Sequence, residues 1–330
     1  MTYRIWLIVV PTVWFFALSP VLGAEIGTES DFDIDENTRS LAGQRVGRAG
    51  FGFLKIGQGA RPVGMGEAFV AVADDLNAAF WNPAGLTEVE RLEYLFTYSE
   101  WIASSVVMSG AMAMQTRYGV VGLSFISHQP PATEETTIFE PLGTGEMMNI
   151  GDIAVGFLYA KQLTNKLSFG VHFRWIQESL HLENLQTVDM SVGTHFDTGF
   201  KSARIAMSFQ NFGKDLTPVD RAFPMPAVFN FAGAMEAYGN RGDPVWLTIA
   251  SNFNFPIDYE ERLVVGGELW LMNALALRGG YKFNTDVEGY TLGAGIKWGR
   301  DNGRHIAVDF AYSQFDLFDA PLRFSVNGSF

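Results

Sequence analysis

From Leu92 to Phe330, the sequence alternates between apolar and polar residues with a period of two. In residues 167–175, for example, every odd position is apolar and every even position is glycine or polar. Side chains two positions apart on a β-strand point to the same face, so each such segment predicts a strand with one apolar and one polar face. Between residues 92 and 330 we distinguish fourteen segments of this kind, separated by turn residues.

Fourteen amphipathic strands in succession predict an all-β fold, a transmembrane antiparallel β-barrel of about 14 strands. Most segments are about 9–13 residues long, which is enough for a tilted strand to cross a bilayer. A soluble β-sandwich could contain any few of these strands. A closed barrel accounts for all of them, because closure leaves no strand edge exposed. We therefore assign residues 92–330 to an outer-membrane β-barrel.

The predicted connections between strands alternate in length. Those after even-numbered strands are short, whereas the two long ones, over residues 128–148 and 213–226, follow odd-numbered strands. Outer-membrane barrels have short periplasmic turns and longer external loops. A barrel whose first strand starts at the periplasmic side has this arrangement, so the connections support the strand count.

Residues 1–24 predict a secretory signal peptide. Arg4 precedes an apolar stretch over residues 5–18, and two small residues follow at 23–24. The stretch is shorter than the ~20 residues of a membrane-spanning helix. Residues 25–50 are acidic and lack a sustained periodicity, so we expect a flexible leader there. Export followed by barrel formation predicts a location in the bacterial outer membrane.

Composition excludes several classes of function. The 23 basic and 36 acidic residues give a net charge of −13, so the chain has little positive charge with which to bind nucleic acid. The chain has no cysteine, which excludes thiolate metal sites and a thiol nucleophile. The nucleophile motif G-x-S-x-G does not occur. We therefore expect no enzymatic activity and no cofactor.

The polar faces of the predicted strands point into the lumen of such a barrel. They carry these lumenal polar residues: His172, Arg174, Asp189, His195, Asp197, Glu268 and Asp309. We expect a cross-linking network in which five basic residues face Asp189, Glu268 and Asp309, namely Arg174, Arg278, Lys282, Lys297 and Arg323. His172 and His195, on adjacent strands, could hold a metal ion together with Asp197. A hydrated polar cluster explains the same pattern without a metal, and we expect no metal site.

Residues 51–91 lack the period-two pattern and predict a small N-terminal helical plug in the lumen. We expect one short helix over residues 67–73 and a second from Asp74 and Asp75 through Phe80. The glycines of this region fit neither the dinucleotide fingerprint nor the P-loop, so we expect no nucleotide site.

The plug contains a dense motif, made of Gly64-Met65-Gly66-Glu67-Ala68, Asp74-Asp75 and Trp81-Asn82-Pro83-Ala84. This stretch resembles the N-terminal region of the PorV/PorQ family, which is similar in turn to the FadL-type fourteen-stranded barrels. The resemblance implies a fourteen-stranded barrel whose N-terminal segment folds into the lumen. It also implies a set of plug-motif residues: Arg61, Gly64, Gly66, Asp74, Asp75, Trp81, Asn82, Pro83 and Ala84.

Arg61 can form a two-point ion pair with a carboxylate. Candidate partners on the predicted lumenal faces are Asp189, Asp197, Glu268 and Asp309. An equally good alternative is that Arg61 is solvated at the periplasmic mouth of the barrel.

The resemblance implies two alternative functions. PorV serves the type IX secretion system, so the first hypothesis is a role in protein secretion or surface assembly, with secreted proteins or secretion components as partners. FadL-type proteins pass hydrophobic molecules, so the alternative is a channel for hydrophobic or small solutes across the outer membrane. A channel predicts an apolar pocket near the external loops and a kink in a wall strand.

Phe330 ends the last predicted strand, on the same face as Leu322, Phe324 and Val326. Outer-membrane barrels resemble this chain in ending on an aromatic residue, which the barrel-assembly machinery recognises. We therefore predict that Phe330 is an assembly signal, and that outer-membrane lipid and the barrel-assembly machinery are partners.

Overall fold

The computed structural model of the chain describes residue 47 and residues 49–216, 223–300 and 304–330. The predicted signal peptide, residues 1–24, and nearly all of the predicted leader, residues 25–50, lie outside the described residues. None of the helices in the described part of the chain is long and apolar enough to cross a membrane.

The described residues form fourteen antiparallel strands that close into a barrel. Each strand pairs with the next one in sequence, and the last strand pairs with the first. The strands are β1 (Glu93–Glu100), β2 (Val106–Thr116), β3 (Gly119–Gln129), β4 (Ile150–Thr164), β5 (Leu167–Leu180), β6 (Glu183–Asp197), β7 (Arg204–Gly213), β8 (Val228–Tyr238), β9 (Val245–Pro256), β10 (Arg262–Leu271), β11 (Leu275–Phe283), β12 (Glu288–Arg300), β13 (Arg304–Phe315) and β14 (Leu322–Ser329). The predicted antiparallel barrel of fourteen strands is confirmed.

The alternation of the sequence separates the two faces of the barrel wall. On β5, Ser168, His172 and Arg174 point inward and are buried, whereas the outward-facing Phe173 and Trp175 are exposed. The other strands follow the same rule, so large apolar side chains cover the outside of the barrel. The inward faces carry mainly small and polar residues, which leaves room for other parts of the chain in the lumen.

The connections divide the barrel into two ends. The connections between β3 and β4 (130–149) and between β7 and β8 (214–227) are the long ones, and both lie at the end that we call the loop end. The opposite end, the turn end, has short connections such as 117–118 between β2 and β3. The two long connections therefore share one end, as their order in the sequence predicts.

Residues 51–91, the plug, pack against the inward faces of the strands. The plug contains two short helices, α1 (Ala60–Gly64) and α2 (Ala78–Trp81), and two 3₁₀ segments, Gly52–Lys55 and Pro83–Glu88. A further 3₁₀ segment, Ile102–Ser104, joins β1 to β2. Helix α1 lies against β11 to β14, and the segment Pro83–Glu88 lies against β3 to β6. The plug thus contacts opposite parts of the wall.

The prediction of a helix over residues 67–73 is wrong, because this stretch forms a series of turns. Gly66 and Glu67 have φ angles of 68° and 75°, in the left-handed region that a helix cannot include. The second helix begins at Ala78, later than predicted. The Asp75 Oδ1 accepts a hydrogen bond from the backbone N–H of Asn77, the residue directly before this helix.

Glycines in the wall let the backbone of the plug touch the strands. A Cβ atom at Gly280 of β11 would lie 2.3 Å from the backbone nitrogen of Gly66. A Cβ at Gly266 of β10 would lie 2.1 Å from the carbonyl oxygen of Met65. No residue larger than glycine fits these two positions unless the plug moves away from the wall.

Candidate functional site

Arg61 of α1 is buried and binds three carboxylates. Its Nε donates to Glu268 Oε1 at 2.8 Å and its Nη2 to Glu268 Oε2 at 2.7 Å, a two-point pair with β10. Its Nη1 donates to Asp74 Oδ1 at 2.6 Å and to Asp75 Oδ2 at 2.8 Å, both within the plug. Arg61 therefore joins the plug to the wall and also holds the plug turn together.

The charge states of this cluster follow from its contacts. Burial alone would lower the pKa of Arg61, but the carboxylates of Asp74, Glu268 and Asp75 raise that pKa well above its ordinary value. Burial alone would raise the pKa of Asp74, but the Arg241 and Arg61 guanidinium groups hold that pKa below its ordinary value. Both side chains are therefore charged at neutral pH.

The cluster extends to several other wall elements. Arg278 of β11 donates to Glu268 Oε1 at 2.7 Å and to Asp309 Oδ1 of β13 at 2.6 Å. Arg241, in the turn between β8 and β9, lies 2.7 Å from Asp74 Oδ2 and 3.0 Å from Glu236 Oε1. The structure thus brings the predicted lumenal residues Glu268 and Asp309 together with the plug residues Arg61, Asp74 and Asp75.

The other two candidate partners of Arg61 lie elsewhere. Asp189 of β6 accepts a hydrogen bond from Arg174 Nε of β5 at 2.9 Å, and both are buried. Asp197 is exposed at the end of β6, where its Oδ1 accepts from the Gly199 backbone N–H at 2.8 Å. Asp197, the last residue of β6, therefore lies outside the buried ionic networks of the lumen.

The turn Asn82-Pro83-Ala84, which we call the NPA turn, binds the opposite side of the plug to the barrel wall. Asn82 is fully buried; its Nδ2 donates to the carbonyl oxygens of Val70 at 2.9 Å and of Thr194 on β6 at 3.1 Å. Its Oδ1 accepts from the Ala84 backbone N–H at 3.2 Å. A Cβ at Gly170 of β5 would lie 2.2 Å from the Pro83 carbonyl carbon. One amide side chain therefore links the plug turn, the plug interior and the barrel wall.

Trp81, Gly64 and Gly66 serve the packing of the plug. The Trp81 indole N–H donates to the Gln58 carbonyl oxygen at 2.8 Å, inside the plug. Gly64 packs on the backbone of Gly293 of β12, where an added Cβ would be 3.0 Å from the Gly293 Cα. Gly66 provides the left-handed conformation that brings the plug onto β11.

The two lumenal histidines are not neighbours. In the β5–β6 pairing, His172 lies opposite Ser191 and His195 lies opposite Ser168, so the imidazoles are two inward-facing steps apart. His172 is buried, and its Nε2 lies 2.7 Å from Ser124 Oγ. Among the described residues, no group of three or more His, Asp or Glu side chains has the geometry of a metal site.

A cavity of about 150 Å³ lies between the plug and the wall towards the loop end, and we call it the outer pocket. Its apolar lining includes Leu54, Ile56, Phe80, Trp81, Ile126 and Val228. His172, Arg174 and Asn230 add polar groups, and the β9–β10 connection contributes Asp258 and Tyr259. Lys55, Glu67 and Arg262 also line it, so the outer pocket has a mixed lining, with an apolar part formed by the plug, β3 and β8.

The wall is irregular next to the outer pocket. The β6–β7 register shifts between Met190 and Val192, so that β7 carries a bulge at Gln210 and Asn211. Asn211 has a φ of 58°; its backbone N–H donates to Ser191 Oγ at 3.1 Å and its Nδ2 to the Pro226 carbonyl oxygen at 3.0 Å. The predicted strands did not include this bulge, although the adjacent polar residues Gln210 and Asn211 interrupt the alternation and indicate its place in the sequence.

The sequence does not indicate a second ionic link between plug and wall, which joins Glu67 to Lys282. Lys282 Nζ of β11 lies 2.8 Å from Glu67 Oε1 of the plug and 2.8 Å from Glu288 Oε2 of β12. Glu67 has a left-handed backbone, which is unfavourable for a residue other than glycine. The ion pair with Lys282 stabilises this conformation. A glutamate in a run predicted as helix gives no sign of such a contact.

A larger cavity, of about 480 Å³, lies at the turn end, and we call it the inner cavity. Arg61, Asp74 and Asp75 line it from the plug, and Arg241, Glu268 and Asn273 are among the wall residues around it. The plug therefore has one cavity towards each end of the barrel.

No protein-family model matches the sequence, and no curated protein is significantly similar to it. Solved structures do share its fold. The toluene transporter TbuX of Ralstonia pickettii is 12% identical with a TM-score of 0.55, covering 83% of this chain and 98% of that one. The toluene transporter TodX of Pseudomonas putida is 12% identical with a TM-score of 0.53, covering 77% and 93%. A FadL homologue of Pseudomonas aeruginosa is 10% identical with a TM-score of 0.49, covering 83% and 98%.

Proposed function

We propose that this chain is a non-enzymatic channel that passes small hydrophobic solutes. The observation that carries the proposal is the outer pocket, which lies between the loop end and the plug and has an apolar part formed by Leu54, Ile56, Phe80, Trp81, Ile126 and Val228. Its volume of about 150 Å³ is similar to that of an engineered apolar cavity, about 150 Å³, that binds benzene. A solute with a single ring therefore fits the outer pocket.

The wall beside the outer pocket supports the same proposal. The bulge at Asn211 interrupts the regular ladder between β6 and β7, where a channel is expected to have a kinked strand. The likeness in fold to TbuX and TodX, two toluene transporters, also favours the channel over the secretion hypothesis. The PorV/PorQ resemblance has no such support and stays a prediction.

We place the barrel in the bacterial outer membrane, with lipid around it and the barrel-assembly machinery as a partner. The apolar outward face supports this location, since side chains such as Phe157, Leu292 and Ile306 are exposed there. In water, so much exposed apolar surface would favour aggregation. In a bilayer the same surface is in contact with acyl chains.

One observation favours the secretion hypothesis as a second candidate. The β3–β4 connection, which reaches out from the loop end, exposes Ile138, Phe139 and Leu142 by 95%, 93% and 98%. None of these side chains lines the outer pocket. Exposed apolar side chains on a loop of this kind suit a protein partner.

Uptake of a labelled monocyclic hydrocarbon by cells that produce the protein tests the channel. Val228→Trp fills the outer pocket from the inward face of β8, and we expect it to reduce uptake at least tenfold. Phe229→Trp, at the adjacent outward position, is the matched control and should leave uptake unchanged. Equal uptake by the two variants would exclude the outer pocket as the route.

A deletion strain separates the two candidate functions. Loss of the channel should slow growth on a hydrophobic carbon source and leave the set of secreted proteins unchanged. Normal growth combined with missing secreted proteins would support the secretion hypothesis instead.

A further inference from the structure

An aromatic surface lines the inner cavity. Trp246 of β9 and Trp270 of β10 are directly opposite each other in the strand pairing, both on the inward face. Their rings are stacked, with centroids 5.4 Å apart and planes 14° from parallel. Both side chains are only half-buried and both line the inner cavity. The lumen at the turn end therefore presents a flat apolar surface.

Packing of the plug does not account for this tryptophan pair. The buried apolar cluster that joins plug and wall includes neither Trp246 nor Trp270. Their neighbours on the same strand faces are Thr248 and Glu268, which are polar. Trp298, by contrast, faces outward, where apolar side chains cover the barrel. The Trp270 ring also has the Arg278 guanidinium 5.8 Å from its centre, besides its contact with Trp246. The parts of the two half-buried indoles that remain open to the cavity offer a surface for an aromatic ring.

The charges around the inner cavity decide which rings are suitable. Among the described residues that line it, five are basic and five are acidic apart from His305, so the lining has no net charge. Arg61, Arg241 and Arg278 are already paired with carboxylates. A charged solute would gain no net attraction and would lose hydration, whereas an uncharged solute loses little. Thr248, Asn273 and Asn327 provide neutral hydrogen-bonding groups.

We propose that the inner cavity is a second solute site, which binds an uncharged single-ring aromatic molecule against Trp246 and Trp270. The proposal rests on the proposed function for the route, since a solute from the loop end first passes the outer pocket. The outer pocket, at about 150 Å³, limits that solute to one ring, and the inner cavity, at about 480 Å³, holds one ring with its substituents. The two cavities are then successive binding sites, one on each side of the plug.

Calorimetric titration of the intact, detergent-solubilised protein with benzyl alcohol tests the inner site. The titration is done in the Val228→Trp variant, whose outer pocket is filled, so that binding reports the inner cavity. We expect Trp246→Leu or Trp270→Leu in this background to weaken binding at least tenfold. Trp298→Leu, which removes an outward-facing tryptophan, is the matched control and should bind as tightly as the Val228→Trp parent. Benzoate, the charged analogue, should bind at least tenfold more weakly than benzyl alcohol.

Equal binding by the Trp246, Trp270 and Trp298 variants would overturn the proposal, and so would benzoate binding as tight as that of benzyl alcohol. Heat-dependent gel migration checks that each variant is assembled. If Trp246→Leu is not assembled, Trp246→Phe is used in its place. Binding that depends on Trp246 without solute uptake by cells would refute the proposed function and leave the inner site standing. Uptake without such binding would refute the inner site alone.

Discussion

Arg61 of the plug and Glu268 of β10 form a two-point ion pair between groups 207 positions apart in the sequence. Both side chains are buried. Removing one member of a buried pair costs about 3–5 kcal/mol where the other charge is left uncompensated. Glu268 keeps its pair with Arg278, so we expect a smaller cost for the loss of Arg61. The pair is therefore a point at which a single substitution should loosen the plug.

We expect Arg61→Met to increase ion conductance through the barrel in planar bilayers. Methionine fills much of the space of arginine but leaves Glu268, Asp74 and Asp75 without their shared partner. Arg117→Met, in the exposed turn between β2 and β3, is the control and should conduct like the wild type. Unchanged conductance in Arg61→Met would mean that other contacts suffice to hold the plug.

A second prediction compares two adjacent glycines of β11. The Cβ of Gly280→Ala would collide with the plug backbone at Gly66, whereas the Cβ of Gly279→Ala would have no heavy atom closer than 3.9 Å. Gly280→Ala should therefore displace the plug and raise conductance, and Gly279→Ala should not. If both variants stay closed, the contact between Gly66 and β11 is not needed for a seated plug.

Acid should loosen the plug through Asp74. Because the pKa of Asp74 is held below its ordinary value of 3.8, the charged carboxylate stabilises the seated plug fully at pH values above 3.8. This stabilisation is lost as the pH falls from there through the lowered pKa. Conductance should stay low from pH 7 to about pH 4 and rise below it. Asp74→Asn should conduct already at pH 7, and a flat pH profile in the wild type would contradict the prediction.

Phe330 is expected to act in assembly. Its ring is 59% exposed and stacks on Tyr94 of β1 with centroids 5.4 Å apart. Full burial of such a ring is worth only about 2 kcal/mol, too little to decide whether the barrel folds. Phe330→Ala should therefore lower the amount of assembled protein in the outer membrane while export across the inner membrane continues. Phe324→Ala, also outward-facing on β14, is the control. Comparable loss in both variants would indicate a packing role for Phe330.

The closed hydrogen-bond ladder predicts resistance to detergent. Boiled and unboiled samples should migrate differently on a gel, because each strand is paired on both sides and opens only on heating. Identical migration of the two samples would argue against a barrel that stays closed in detergent.

The strands could be predicted from the sequence because each strand has one side to the lumen and one side outward. Successive residues of a strand therefore face the lumen and the outside in turn. The alternation of polar and apolar residues can be recognised within a single segment such as 167–175. The connections could be predicted for the same reason, since turns interrupt the alternation.

The inside of the plug could not be predicted in the same way. The turns at Gly66 and Glu67 depend on contacts with β11, which lies more than two hundred residues further along the chain. From the sequence, several carboxylates are possible partners of Arg61. The partner is Glu268, and not Asp189, because of the way in which α1 packs against the wall. This packing cannot be predicted from the local sequence pattern.

The pairing of β1 with β14 also sets the order in which the molecule can be built. The plug precedes every strand in the sequence, and in the finished molecule it is bound to β10 and β11 by ion pairs and to β6 by Asn82. A closed cylinder leaves the plug access to these strands only through the two ends of the barrel. We therefore expect the seam between β1 and β14 to close around a plug that is already in place. Joining the two ends of the sheet is thus also the step that encloses the N-terminal segment.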